Sequence, residues 1–379
     1  MRNIRMYLRL ITGILVILLI GGMISVSAGV IPDLKGSWTG ISVEQYSPTG
    51  GFENLTADLR SYLITGQDGR AYVGEETFYD QITGENVTEI FSGALSPDGQ
   101  MYEQDNEGSG ISFGELVSDH EFYNTMLFPE RGPGVILLHM VKSGANASPS
   151  EKVPELIGTW NLTHNRKNSA STTGLITIDQ QQGRIWSGTE EFLDEDGTTI
   201  NRTIAGTVGE TGRLYAASAD GAYMFGSLTG DDSIQSAFII PGDTDGTYVV
   251  DHVLTKNEAS IPRSDLSYPD IAGDWKIDDR NVIENGKIIN EGPLSDEWIA
   301  FSNQTDRFFT AVRHNQEAGA LPETEVFGIF RAPDEAFLTG ADSEIVIYHV
   351  IDNSSIEAIV NRKDNNASLY LDLLTRKPE

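Results

Sequence analysis

The chain has 379 residues, 26 Lys and Arg against 56 Asp and Glu, and a formal net charge of −30. Such acidity argues against a nucleic-acid partner, because phosphate contacts need Lys and Arg. The absence of cysteine excludes disulfides, a thiol nucleophile and a lipid-bearing N-terminal Cys, so the fold must rest on core burial alone.

Residues 1–28 read as a secretory segment. Arg2, Arg5 and Arg9 form the positive region, "LITGILVILLIGGMI" the apolar run, and "SVSAG" the small residues for cleavage after Ala28. The alternative is an uncleaved membrane anchor, because the apolar run approaches bilayer length. Cleavage would delete three Arg and no acid, taking the charge from −30 to −33. The acids are spread along the chain, as on solvated faces, and favour solubility and tolerance of salt.

An internal repeat follows. "PDLKGSW" at 32–38 returns as "PELIGTW" at 154–160 and "PDIAGDW" at 269–275, with the Trp residues 122 and 115 positions apart. "GRAYVGEETF" (69–78) aligns with "GRIWSGTEEF" (183–192), "FSGALSPDGQMY" (91–102) with "IAGTVGETGRLY" (204–215), and "FGEL" (113–116) with "FGSL" (225–228). The first two units close on "VILLHMVK" (135–142) and "TYVVDHVLTK" (247–256). In the third, more diverged unit, "DRFFTAV" (306–312) and "DEAFLTG" (334–340) take the corresponding places, and "LYLDLLTRK" (369–377) closes it. The expected domains are 30–142, 152–256 and 268–377, joined by polar linkers rich in Ser and Pro.

Each unit reads as short strands between turn signals. The middle one gives eight runs, from "TWNLTHN" to "TYVVDHVLTK", separated by Asp-Gly, Thr-Gly and Gly-Asp-Asp turns. No window sustains a helical period, and the connections are too short for crossover helices. The predicted fold is all-β: three tandem antiparallel up-and-down eight-stranded β-barrels after an N-terminal signal or anchor helix.

Gly36, Gly158 and Gly273 let the chain bend into the first strand of each unit. Trp38, Trp160 and Trp275 then point to one side, where a large ring can plug a small barrel. Lys142, Lys256 and Arg376, at the ends of the last strands, can stack on those rings. Gly-x-Trp opening the first of eight strands and a basic residue closing the last resemble the lipocalin and avidin-type (calycin) barrels. That resemblance covers nearly all of the mature chain and rests on a short motif. It implies barrels that hold a small apolar or amphipathic ligand, or none where side chains fill the lumen. Beyond its first Trp each unit has at most one more, Trp186 in the second and Trp298 in the third. Avidin-like biotin sites use several, so the resemblance implies no biotin site.

The six histidines form no His-x-His or His-x-x-x-His spacing. No nucleophile elbow or phosphate loop is present. No catalytic residue, metal site or cofactor is therefore expected. "DEDG" (194–197) and "GDTDG" (242–246) read as hairpin turns rather than calcium loops, since neither continues to the required Glu. The pairs Glu75–Glu76 and Glu190–Glu191 face opposite sides of one strand and cannot work together as acid and base. His139 and His252 align on the closing strands, and alternation lets His252 line a barrel. Arg70, Arg184 and Arg307 each precede an aromatic two residues on, Tyr72, Trp186 and Phe309. These three pairs are candidate ligand contacts, against a plainer reading as Arg side chains covering barrel surface.

Sequons occur at Asn54, Asn86, Asn146, Asn161, Asn201, Asn303, Asn353 and Asn366, and Pro149 weakens the one at Asn146. If Asn201 faces out, Arg202 faces in, and an interior Arg marks an internal ion pair or an anionic ligand. The expected protein is an exported, acidic, glycosylated and non-enzymatic cell-surface protein of archaeal character. Its partners are a small ligand or surface components, and the membrane only through an uncleaved N-terminal segment. The alternatives are a structural envelope component with filled barrels and a secreted hydrolase.

Overall fold

Gly36, Gly158 and Gly273 open their first strands at φ of +120°, +132° and +124°, angles that only glycine takes without strain. Two residues later come Trp38, Trp160 and Trp275, all fully buried. Each indole N–H donates to a carbonyl four residues back, of Leu34 (2.8 Å), Leu156 (2.8 Å) or Ile271 (2.9 Å). Lys142, Lys256 and Arg376 lie 5.5, 5.1 and 4.9 Å from the ring centroids. The same cations donate to the carbonyls of Asp33, Glu155 and Asp270. Lead-in, first strand and last strand are thus locked together at one end of each unit.

The computed structural model describes residues 31–46, 53–80, 83–105, 111–128, 133–147, 153–166, 170–194, 197–240, 249–256, 267–315, 324–340, 345–362 and 368–378. The signal or anchor helix expected over 1–28, the turn at 242–246 and Asn366 lie outside them, as does the side chain of Asn54. Among the described residues no helix is long and apolar enough to cross a membrane.

The first barrel comprises β1 (Gly36–Tyr46), β2 (Glu53–Asp68), β3 (Ala71–Asp80), β4 (Glu85–Leu95), β5 (Gln100–Asp105), β6 (Ile111–Ser118), β7 (Glu121–Phe128) and β8 (Gly134–Lys142). Neighbours in sequence pair antiparallel, and β8 returns to β1 with Trp38 opposite Lys142. The second comprises β9 (Gly158–Arg166), β10 (Thr172–Gln182), β11 (Ile185–Leu193), β12 (Thr199–Val208), β13 (Arg213–Ser218), β14 (Tyr223–Gly230), β15 (Ser233–Ile239) and β16 (Val249–Thr255), closed by β16 against β9. The third has β17 (Gly273–Glu284), β19 (Leu294–Thr305), β20 (Phe308–Asn315), β21 (Thr324–Ala332), β22 (Glu335–Gly340), β23 (Ile345–Asp352), β24 (Ser355–Arg362) and β25 (Ser368–Arg376), closed by β25 against β17. It carries one strand more. β18 (Lys287–Asn290) folds back on the end of β17 through Asn285-Gly286. Both turn residues have positive φ, as a two-residue hairpin of matching twist needs.

Alternation gives every strand an inward and an outward set. The inward sets fill three separate lumens, around Trp38, Trp160 and Trp275. The outward sets are also apolar on the facing sides and build a fourth core that all three barrels share. Phe225 is its hub, 4.7 Å from Phe113 of the first barrel and stacked at 4.1 Å on Phe337 of the third. The arrangement is cyclic. β12 and β13 pack on β7 and β8, β21 and β22 on β15 and β16, and β3 and β4 on β17 and β25. Residues 33–379 accordingly form one compact unit.

On the face of a free-standing barrel, truncating Phe225 would change stability by within about 0.5 kcal/mol. In the shared core, Phe225→Ala is expected to cost about 3–5 kcal/mol, read as a lower denaturation midpoint by urea titration.

Candidate functional site

The strand-3 aromatics Tyr72, Trp186 and Phe309 face their lumens. Each lies directly across from a glycine on the next strand, Gly93, Gly206 or Gly328. A Cβ added at those glycines would meet the ring at 2.3, 2.7 and 2.4 Å. These aromatics are therefore packed in place by the absence of a side chain opposite. The arginines before them turn the other way, toward the neighbouring barrel. Arg70 pairs with Glu357 of the third barrel at 2.6 Å. Arg184 lies 5.0 Å from the ring of Tyr123 in the first and pairs with Glu210. Arg307 pairs with Asp251 of the second. The three arginines stand at the three junctions of the cyclic arrangement, each away from the aromatic that follows it.

Beyond the Trp end, each lumen carries buried charge. In the first barrel Arg60 pairs with Glu76 at 2.5 Å. Glu103 accepts from Tyr72 Oη at 2.9 Å, Tyr62 Oη at 3.5 Å and the Asn124 amide. In the third, Arg280 donates to Asp372 at 2.7 and 2.6 Å and to Glu297 at 3.1 and 3.3 Å, and Arg313 also donates to Glu297. The cross-strand registers Tyr62–Glu76 and Ile299–Arg313 make these two barrels equivalent with the signs exchanged. The Arg60–Glu76 pair of one is the Glu297–Arg313 pair of the other.

The second barrel differs. Glu190, in the place of Glu76, is fully buried. Its Oε2 accepts from Arg202 Nε at 2.6 Å, and Arg202 also reaches Asp220 at 2.7 Å. Arg202 lies 3.9 Å from the Phe238 ring and 5.0 Å from that of Phe192. Asn201 is exposed and Arg202 is buried, so an ion pair occupies this lumen. His252 lies across from His164 where β16 closes on β9, with His252 Nε2 3.0 Å from His164 Nδ1 and 3.7 Å from Glu190 Oε1. Arg166 Nε donates to His164 Nε2 at 3.0 Å. Burial first, then the charges of His252 and Arg166, take His164 down to about 2. Burial and the charges of Arg202, Arg166 and Arg307 push His252 well below its usual range. Both rings are neutral.

Several polar atoms on the lumen side of this barrel are buried without a hydrogen-bond partner: Trp186 Nε1, Glu190 Oε1, Arg202 Nη2, Ser236 Oγ and His252 Nδ1. Ser236 stands across from His252.

His139 is not the counterpart of His252. Counting back from Lys142 and Lys256, Leu138 takes that place; Leu138 is in the first lumen and His139 lies on the outside, stacked on Tyr123 at 4.3 Å. A one-residue slip in alignment reverses the face. Glu75 and Glu191 are exposed while Glu76 and Glu190 are buried. Asn86, Asn146, Asn161, Asn303 and Asn353 are exposed like Asn201. Sequence reasoning passed over His164 and Glu190 as a pair with His252. It also passed over Gln67, Gln181 and Gln304, whose Oε1 atoms accept the lead-in N–H groups of Leu34, Leu156 and Ile271 at 2.8, 2.8 and 3.0 Å. Their recurrence three residues before Arg70, Arg184 and Arg307 is the signal the sequence offers.

No family model and no curated protein matches this sequence. Among solved structures, a protein of unknown function from the DUF3598 family of Nostoc punctiforme is 10% identical, covering 90% of this chain and 96% of its own, at a TM-score of 0.23. Transferrin binding protein B of serogroup B Neisseria meningitidis is 8% identical, covering 92% and 77%, at 0.23. The protein of that name from Haemophilus parasuis is 6% identical, covering 90% and 76%, at 0.20. Likenesses this distant define neither a family nor an activity for the chain.

Burial, against the Tyr72 hydrogen bond and with the charge of Glu76 adding, pushes the Glu103 carboxyl from 4.5 up to about 8. Between those values the folded chain keeps a proton that the unfolded chain has lost, so stability falls as pH rises through this window. Glu103→Gln removes that slope. Its thermal midpoint relative to the parent is expected to climb from pH 5 to pH 8 and then level, by scanning calorimetry across pH.

Proposed function

We propose that the chain is an exported, non-enzymatic cell-surface protein of three calycin-like barrels, in which the second holds a small polar ligand and the first and third are filled supports. The buried, unpartnered polar atoms around Arg202, His252 and Ser236 carry this reading. Each such atom costs about 1–3 kcal/mol when left without a partner, and a bound molecule with its own donors and acceptors offsets that cost. In the third barrel, by contrast, Arg280 is engaged by both Asp372 and Glu297, which suits a structural role. The predicted secretory segment, the acidic composition and the exposed sequons support an extracellular, glycosylated setting. The mixed aromatic and charged lining, with Arg202 over Phe192 and Phe238, suits a small amphipathic molecule.

The test is differential scanning fluorimetry against a panel of small carboxylates, amines and polar aromatics. A ligand of the second barrel raises the midpoint of the parent. Ser236→Ala is expected to raise the ligand-free midpoint, because it removes an unpartnered hydroxyl, and to shrink the ligand-induced shift. A panel that moves neither protein would remove the organic ligand, and silence toward divalent transition-metal ions as well would leave the filled-barrel envelope component as the better description.

A further inference from the structure

On the reading that the second barrel binds a ligand, the three groups that converge there point to an inorganic one. We propose that His164, His252 and Glu190 bind one divalent transition-metal ion.

The three residues come from β9, β16 and β11, and each offers one ligating atom within 4.8 Å of the others. His164 Nδ1 and His252 Nε2 are 3.0 Å apart, and His252 Nε2 and Glu190 Oε1 3.7 Å. A tetrahedral ion with bonds of about 2.1 Å sets its ligands about 3.4 Å apart. These two separations straddle that value and all three atoms lie within 4.8 Å of one another, so side-chain adjustment without backbone movement can complete the site. Two imidazoles and one carboxylate select zinc, cobalt, nickel or copper over calcium and magnesium, which take oxygen.

Proton counting shows why the cluster is incomplete by itself. The Arg166 guanidinium can only donate, so His164 Nε2 accepts and the ring's proton sits on Nδ1. That proton points at His252 Nε2, which fixes the His252 proton on Nδ1, where no partner meets it. Three potential ligand atoms therefore face one another with a single hydrogen among them, on His164 Nδ1, and Glu190 Oε1 receives nothing. A cation between them satisfies all three. Glu190 is already oriented for this, because Arg202 holds its other oxygen, the role that outer-shell partners play in metal sites.

Binding has one internal requirement. When an ion takes His164 Nδ1, the ring's proton moves to Nε2, and the Arg166 N–H must withdraw from it. Arg166 also pairs with Asp194 at 3.1 Å, which leaves it a place to go. Arg166 thus competes with the ion, and its removal strengthens binding.

The experiment is titration of the purified protein with Co²⁺ in excess Mg²⁺, so that surface carboxylates are occupied, followed by visible absorption. The expected result is one Co²⁺ per chain with the intense bands of four- or five-coordinate cobalt, and loss of those bands in His252→Gln and Glu190→Gln. Arg166→Gln is expected to tighten binding about 10-fold, the scale of outer-shell effects. The weak spectrum of the hydrated ion in the parent protein overturns the proposal without any variant having to fold. So does an equal signal in parent and His252→Gln. An organic ligand that shifts the midpoint, with no cobalt bands, overturns the metal and leaves the binding reading standing. Cobalt bands with a silent organic panel support the metal.

Discussion

Closure of each sheet on itself is the constraint from which the rest follows. An eight-stranded sheet left open would present two long edges to water. Here the last strand returns to the first, and the return is fixed by one interaction repeated three times. A buried Trp donates to its own lead-in, and a terminal basic residue covers the ring and holds the same lead-in. Closure makes the inward parity of every strand a common lumen. It also brings residues 88 positions apart into register, as with His164 and His252.

The outward parity matters as much. A barrel on its own needs a polar exterior, yet each of these carries an apolar sector. Three such sectors meet in a core centred on Phe113, Phe225 and Phe337. Several polar groups there pair across the junctions. Glu335 of the third barrel accepts from Gln100 at 2.8 Å and Tyr102 at 3.0 Å of the first, and Tyr215 of the second donates to Gln100 at 3.1 Å. Arg70, Arg184 and Arg307 repeat in the sequence because each serves the same junction.

The local features were legible in the sequence because their causes are local. Gly-x-Trp, the hairpin turns and the strand alternation each rest on a few neighbouring residues, and together they define the barrels and their order. The parity of Asn201 alone puts Arg202 inside. What the sequence concealed depends on register between distant strands. The His164–His252 contact exists only after closure, so no ligand spacing could display it. The outward apolar residues looked like ordinary strand residues, because Tyr215 and Phe225 do not reveal which neighbour covers them. His139 aligns with His252 only through a shift of one residue, the smallest error alternation permits and the one that reverses a face.

Native-state hydrogen exchange over the three barrels tests the shared-core claim most directly. Opening any one barrel uncovers the facing sectors of the other two, so the slowest amides of β7, β15 and β23 should exchange through one common opening with a single free energy. Three distinct opening free energies, one for each barrel, would contradict it.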